Sequence, residues 1–116
     1  MDIYHIWCDL KSGVSDIEFT EAATSYLNSL VDKDGLAGFR ITRRKLGLGL
    51  PELGEFHLML EFNNLAQLDS SFAMVASRAD PVEGFHFSVN SKVSSVKFAL
   101  YRDFPDSVRQ TGQEKF

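Results

Sequence analysis

A single cysteine, Cys8, stands in the whole chain, which excludes an intramolecular disulfide framework and points to a reducing, cytoplasmic setting. Basic charge is also scarce: 12 Lys and Arg face 16 Asp and Glu, a formal net charge of -4. Such a chain lacks the broad positive field that gathers around phosphate backbones, so nucleic acid is not an expected partner. No apolar run approaches the roughly 20 residues of a membrane span. The start of the chain carries Asp2, His5 and Trp7 where a secretory leader would need a basic segment followed by an apolar one. Catalytic signatures are missing as well. Gly47 and Gly49 form a GxG that no helix follows, so the geometry that cradles a phosphate is absent, and no serine sits in a nucleophile elbow.

What is present is an ordinary globular composition, 44% hydrophobic and 24% charged over 116 residues, enough for one domain with its own core. That domain is expected over residues 1–106, with a polar, unpatterned tail over 107–116. From Ile3 to Leu10 the residues Tyr4, Ile6, Cys8 and Leu10 alternate with Ile3, His5, Trp7 and Asp9, the period of a strand. Ser15 followed by Glu18 is a capping box, and it opens a helix whose apolar stripe is Ile17, Phe19, Ala22, Ala23, Tyr26, Leu27, Leu30 and Val31. Gly35 ends that helix as a left-handed cap residue would.

Two further alternating segments, Gly38 to Lys45 and Glu55 to Asn63, read as consecutive strands. The connection between them, LGLGLPELG, is too rich in Gly and Pro for a regular element and unusually apolar for a loop, so its leucines are expected to find cover on the cavity mouth or on a partner subunit. Asn64 precedes a second helix carrying Leu65, Leu68, Phe72, Val75 and Ala76, and Asp80, Pro81 and Glu83 start a short third one reaching about Lys92. Phe19, Phe72 and Phe85 read as core. A last strand spans Ser94 to Phe104. The run Arg40, Arg43, Arg44 and Lys45 reads as a charged, solvated strand edge.

The order β-α-β-β-α-α-β is the split βαβ arrangement of an α+β, ferredoxin-like fold, with both crossovers placing helices on one face of a four-stranded antiparallel sheet. Parity assigns Tyr4, Ile6, Cys8, Leu10, Phe39, Ile41, Phe56, Leu58, Leu60, Phe62, Val96, Phe98 and Leu100 to the helix side. The opposite face holds Ile3, His5, Trp7, Met59, Ala99 and Tyr101 among His57, Glu61, Arg40, Arg44 and Lys97. A face so aromatic calls for cover, and a second copy of the same sheet supplies it.

On these features, and on the segments GLAGFRITRRKLGLG and FHLMLEFNNLAQLDSSFAMVA, the chain resembles the dimeric α+β barrel superfamily, in particular its small uncharacterised bacterial members. The resemblance covers roughly Asp2 to Asp106. It implies a homodimer packed sheet to sheet around a cavity. The superfamily includes cofactor-free antibiotic-biosynthesis monooxygenases, haem-degrading oxygenases, isomerases, EthD-like proteins and stress-responsive proteins. Trp7 and Tyr101 suit the aromatic cavity of the monooxygenases, although no asparagine falls centrally on that face.

The candidate site is therefore the open face. His57 and His5 are the candidate general bases, Arg40 and Lys97 the candidate holders of an anionic oxygen, and Trp7 and Tyr101 the surfaces for a flat ligand, with Glu61 beside them. A small aromatic or anionic metabolite is the expected ligand. The alternative is an interaction or stress-related homodimer with no small-molecule substrate. A metal held by His5, His57 and Glu61 is disfavoured because His57 and Glu61 lie roughly 13 to 14 Å apart along one strand. No cofactor is expected, and His86, on the short helix, reads as a half-exposed surface residue.

Overall fold

The computed structural model describes residues 1–78, 80 and 82–105. Along them run β1 (Asp2–Leu10), α1 (Asp16–Asp32), β2 (Gly38–Arg43), β3 (Phe56–Phe62), α2 (Leu65–Ala76), α3 (Val82–Asn90) and β4 (Val93–Arg102). The strands form one antiparallel sheet in the order β2-β3-β1-β4, so the two central strands are β3 and β1. This is the expected ferredoxin-like α+β architecture. Pro81 and the tail expected at 107–116 lie outside the described residues.

Alternation decides which side of the sheet each residue takes. Along β3, Phe56, Leu58, Leu60 and Phe62 are buried while His57, Met59 and Glu61 between them are half-buried. Register carries the same rows across the sheet, with Tyr4, Ile6 and Cys8 opposite Leu60, Leu58 and Phe56, and Phe39 and Ile41 opposite Leu60 and Leu58. Phe19, Ala23, Leu27 and Leu30 of α1 close the core from above, and removing such side chains from water stabilises the fold by about 1.5–3 kcal/mol for each large one. The expected stripe of α1 is thus buried or half-buried from Phe19 onward, whereas Ile17, expected in it, is exposed in the first turn, before the helix reaches the core.

The helix ends are built from local chemistry. Ser15 caps α1 by accepting the Glu18 N–H at 3.0 Å, but Glu18 does not complete a reciprocal box; its carboxylate lies 3.8 Å from Lys92 instead. At the other end Gly35 N–H donates to Leu30 O and Asp34 N–H to Val31 O, a Schellman closure. The left-handed residue is Asp34, at φ 60°, rather than the expected Gly35. Gly35 has a different reason to lack a side chain, since a Cβ there would sit 3.1 Å from Ser71 Oγ and 3.2 Å from Leu30 O. Asn64 caps α2 through Gln67 N–H, and the Gln67 side-chain amide donates to Asp34 O, tying the end of α1 to the start of α2. The third helix stops at Asn90, two residues short of the expected Lys92.

The basic run is more than a solvated edge. Arg43 joins the start of α1 to the start of β3, bonding Asp16 at 2.7 Å and Glu55 at 3.0 Å while lying over the Phe56 ring. Arg44 donates to the carbonyls of Leu50 and Leu53, and only Arg40 stands exposed on the strand itself without a role in these contacts.

One expectation fails at the β4 edge. Val96, Phe98 and Leu100 have helix-side parity, yet they are exposed, Phe98 by 59% and Leu100 by 52%. The buried residues cluster on α1 and β3, with β1 contributing Cys8, and the helix layer does not extend over the last strand.

Candidate functional site

The open face brings four of the expected residues into contact. His5 on β1 and His57 on β3 are joined by a 2.8 Å hydrogen bond between His5 Nδ1 and His57 Nε2. Their ring centroids are 5.1 Å apart with planes 18° from parallel, the arrangement of two rings joined edge to edge in nearly one plane. Trp7 lies parallel to His57, with centroids 4.5 Å apart and planes 7° apart, and Tyr101 meets His5 edge-on at 4.9 Å. The register explains the cluster: Trp7 is directly opposite His57, and His5 is one side-chain step along the same face. Thr42, opposite His57 on the other side, donates its hydroxyl to the His57 carbonyl at 2.8 Å.

Lys97, exposed on β4, borders this cluster as the ladder partner of Trp7, while two expected residues stand apart from it. Arg40 is exposed opposite Met59. Glu61 pairs with Ile3 and Gly38, two side-chain steps from His57, and does not join the imidazoles. Among the described residues no carboxylate forms an ion pair with either ring, and none of them gathers three or more His, Cys, Asp or Glu able to hold a metal ion.

Burial holds the His5 and His57 pKa values below the ordinary imidazole value, and for His57 the charge of His5 adds in the same direction. The neutral pair is the favoured state: one ring donates and the other accepts. Cys8, on the opposite side of the sheet, is buried, and burial together with the Asp9 charge pushes its thiol up to about 11. It is an inert core residue, not a nucleophile.

A predominantly apolar cavity lies on the helix side of the sheet. It measures about 490 Å³ and is walled by buried Phe19, Ala23, Leu27, Leu30 and Phe62 at its base. Phe72 on α2 and Phe98 on β4 line it and are also exposed, so its mouth opens between those two elements. Both rings pack against Tyr4, Phe72 edge-on at 5.2 Å and Phe98 parallel at 5.6 Å, and burial raises the Tyr4 phenol pKa.

Besides Tyr4, the lining carries the polar side chains of Tyr26, Ser71, His86 and Asn90, none of which the sequence marks as a site. Tyr26 of α1 and His86 of α3 both face the cavity, with ring centroids 5.7 Å apart. His86 is accordingly part of a cavity wall and not simply a surface residue. The missed signal was volume: Ala23, in the middle of the α1 stripe, lines the cavity with a small side chain beside Tyr26. Phe72, read as core, belongs to the rim, and the side chain of Phe85 lies outside the described residues.

The fold is shared with several solved structures. Protein At3g17210 of Arabidopsis thaliana superposes with a TM-score of 0.69 at 17% identity, covering 95% of this chain and 100% of that one. A dimeric ferredoxin-like protein of unknown function from Jannaschia sp. CCS1 gives a TM-score of 0.64 at 14% identity over 89% and 100% of the two chains. SnoaB, a cofactor-independent oxygenase from Streptomyces nogalater, gives 0.63 at 9% identity over 97% and 96%. At such identities the likeness establishes the fold alone, a ferredoxin-like α+β domain. No curated protein sequence matches the chain. One family model does, across residues 1–116, and the protein belongs to that family, a family of unknown function (DUF6614).

Proposed function

We propose that this protein is a homodimer that binds a small, flat, largely apolar molecule in the cavity between its helices and its sheet. The observation that carries this reading is the cavity itself: about 490 Å³ of space with apolar walls and, within them, the Tyr26 and His86 side chains. That volume falls within the roughly 300–1,000 Å³ of ordinary ligand pockets, and a few polar groups in an apolar wall are what orient a ligand there. An imidazole that can donate or accept beside a phenol suits a ligand carrying a hydroxyl or carbonyl. Chemistry without a cofactor, as in the Streptomyces nogalater oxygenase of the same fold, is the catalytic form this reading takes, with His86 as the base.

The dimer is supported by the dimeric proteins that share the fold and by the open face, where Trp7, Met59 and Ile3 have no helix above them. A second ligand reading rests on the His5–His57 bond: within a dimer the open face becomes enclosed, and a small anion would meet Arg40 and Lys97 there with Trp7 and Tyr101 as its planar contacts and His57 as the base.

Titration calorimetry with naphthalene, 2-naphthol and 2-naphthoate separates the two. Ala76→Trp, at the exposed rim of the helix-side cavity, is expected to abolish binding of 2-naphthol while His57→Ala and Lys97→Ala leave it intact. The reverse pattern, with 2-naphthoate as the preferred probe, moves the site to the open face. No heat with any of the three ends both readings and leaves a homodimeric interaction module.

A further inference from the structure

The connection between β2 and β3 carries Leu46, Leu48 and Leu50, exposed by 84%, 77% and 64%. Apolar side chains so placed normally belong to a disordered tip, but this loop is held in one shape. Leu48 N–H donates to Lys45 O and Leu53 N–H to Leu50 O, forming successive turns, and the Arg44 guanidinium bonds the carbonyls of both Leu50 and Leu53. Left-handed backbone at Leu46 and Gly47 fixes the first bend, at φ 57° and 69°. An ordered loop that presents leucine to solvent is prepared for a surface outside the protomer, because its ordering entropy is already lost before contact.

Three observations say where that surface lies. Arg44 continues the β2 ladder through its N–H to Glu55 O, so it keeps the alternation of Arg40 and Thr42 and belongs to the open face. Gly49 passes close to the Arg44 guanidinium, where a Cβ would lie 2.5 Å from Nε, and so the loop rises on the open-face side. The mouth of the helix-side cavity, by contrast, is bounded by β4, at the far edge of the sheet from β2, so the loop is not its lid. The sheet face alone is also small. Four strands about 4.8 Å apart and about seven residues long make a planar patch of roughly 400 Å², near half of the about 800 Å² per partner in a standard stable interface.

We infer that residues 46–53 form a dimer arm, which seats Leu46, Leu48 and Leu50 on a second copy of this chain and extends the interface beyond the open sheet face. The inference rests on the homodimer proposed above. It adds a specific claim: the arm, not only the sheet, holds the two copies together, and the partner it fits is an apolar surface at the border of the same face.

The test is sedimentation of the full chain together with the triple variant Leu46→Ser, Leu48→Ser, Leu50→Ser. Because these side chains are solvent-exposed in the protomer, the variant is expected to keep the circular dichroism of the wild type while the dimer Kd rises by on the order of a hundredfold. A wild-type chain that sediments as a monomer overturns the homodimer and the arm together. A dimeric wild type whose Kd the triple variant leaves unchanged overturns the arm alone. Leu48→Cys gives a second readout, since Cys8 is buried and its thiol is pushed up to about 11, leaving the new thiol as the reactive one. Attachment of a benzophenone maleimide and irradiation are expected to yield covalent dimers; crosslinks confined to one chain overturn the arm.

Discussion

At the residue scale the His5–His57 pair is the feature with the clearest physical consequence. Both imidazoles are held below their ordinary pKa, His5 by burial and His57 by burial and then by its neighbour's charge, so the folded chain binds their protons less readily than the unfolded chain does. The cations of this face are Lys97, across from Trp7, and Arg40, across from Met59, while Glu61 is two steps away. A group with a depressed folded-state pKa whose neutral form is basic contributes its full stability above the unfolded value, about 6.5, and loses it as pH falls toward the folded value. The melting temperature is therefore expected to drop between pH 7.5 and pH 5.5, and the double variant His5→Gln, His57→Gln is expected to show a shallower drop. Equal slopes in thermal melts of the two proteins would refute this linkage. Cys8 belongs to the same scale: a maleimide is expected to label native protein far more slowly than denatured protein, and equal rates would contradict its burial.

At the scale of the elements, capping and close approach make separable demands. Ser15→Ala removes the side-chain acceptor of the Glu18 N–H and is expected to cost about 1 kcal/mol in urea unfolding, with no change in fold. Gly54 is a harder constraint. A Cβ there would overlap the Cys8 backbone, where the first residues of β3 approach β1. Gly54→Ala forces those two central strands apart and is expected to cost about 2–3 kcal/mol, more than the cap, by the same measurement. A ranking in the opposite order would mean that the chain before β3 yields easily and that the approach is not tight. The same approach sets the geometry of the loop before it, because the arm returns into β3 through Gly54.

On the scale of the whole molecule, the two faces of the sheet have different work. One is covered by helices and keeps a cavity beneath them; the other presents rings to solvent in the protomer. Trp7 is the natural probe of the second face, since it stacks on His57 there and has Lys97 alongside in the ladder. Trp7→Asp places a carboxylate in the centre of the proposed interface, where it lacks the water that stabilises it in the monomer. Light scattering is expected to show a dimer for the wild type at micromolar concentration and a folded monomer for the variant. A variant that stays dimeric would put the interface elsewhere.

Much of this architecture is legible in the chain itself. Period-2 runs such as Phe56 to Phe62 and the stripe from Phe19 to Leu30 prescribe their elements, because each pattern can bury its apolar side in only one kind of backbone. Parity then sorted His5, His57 and Trp7 onto the face opposite the core, and the ladder register brought them into contact. The cavity was not legible, since empty space is the difference between the volume enclosed by three helices and a sheet and the volume of the side chains facing it, and no local pattern encodes that difference. For the same reason Phe98 and Leu100 looked like core: parity gives a direction, but whether a helix lies in that direction depends on where tertiary packing sets the helix. Sequence by itself determined which residues share a face. Only the tertiary structure decided which faces are covered, because cover comes from elements distant in the chain, and their placement follows from the packing of the whole core.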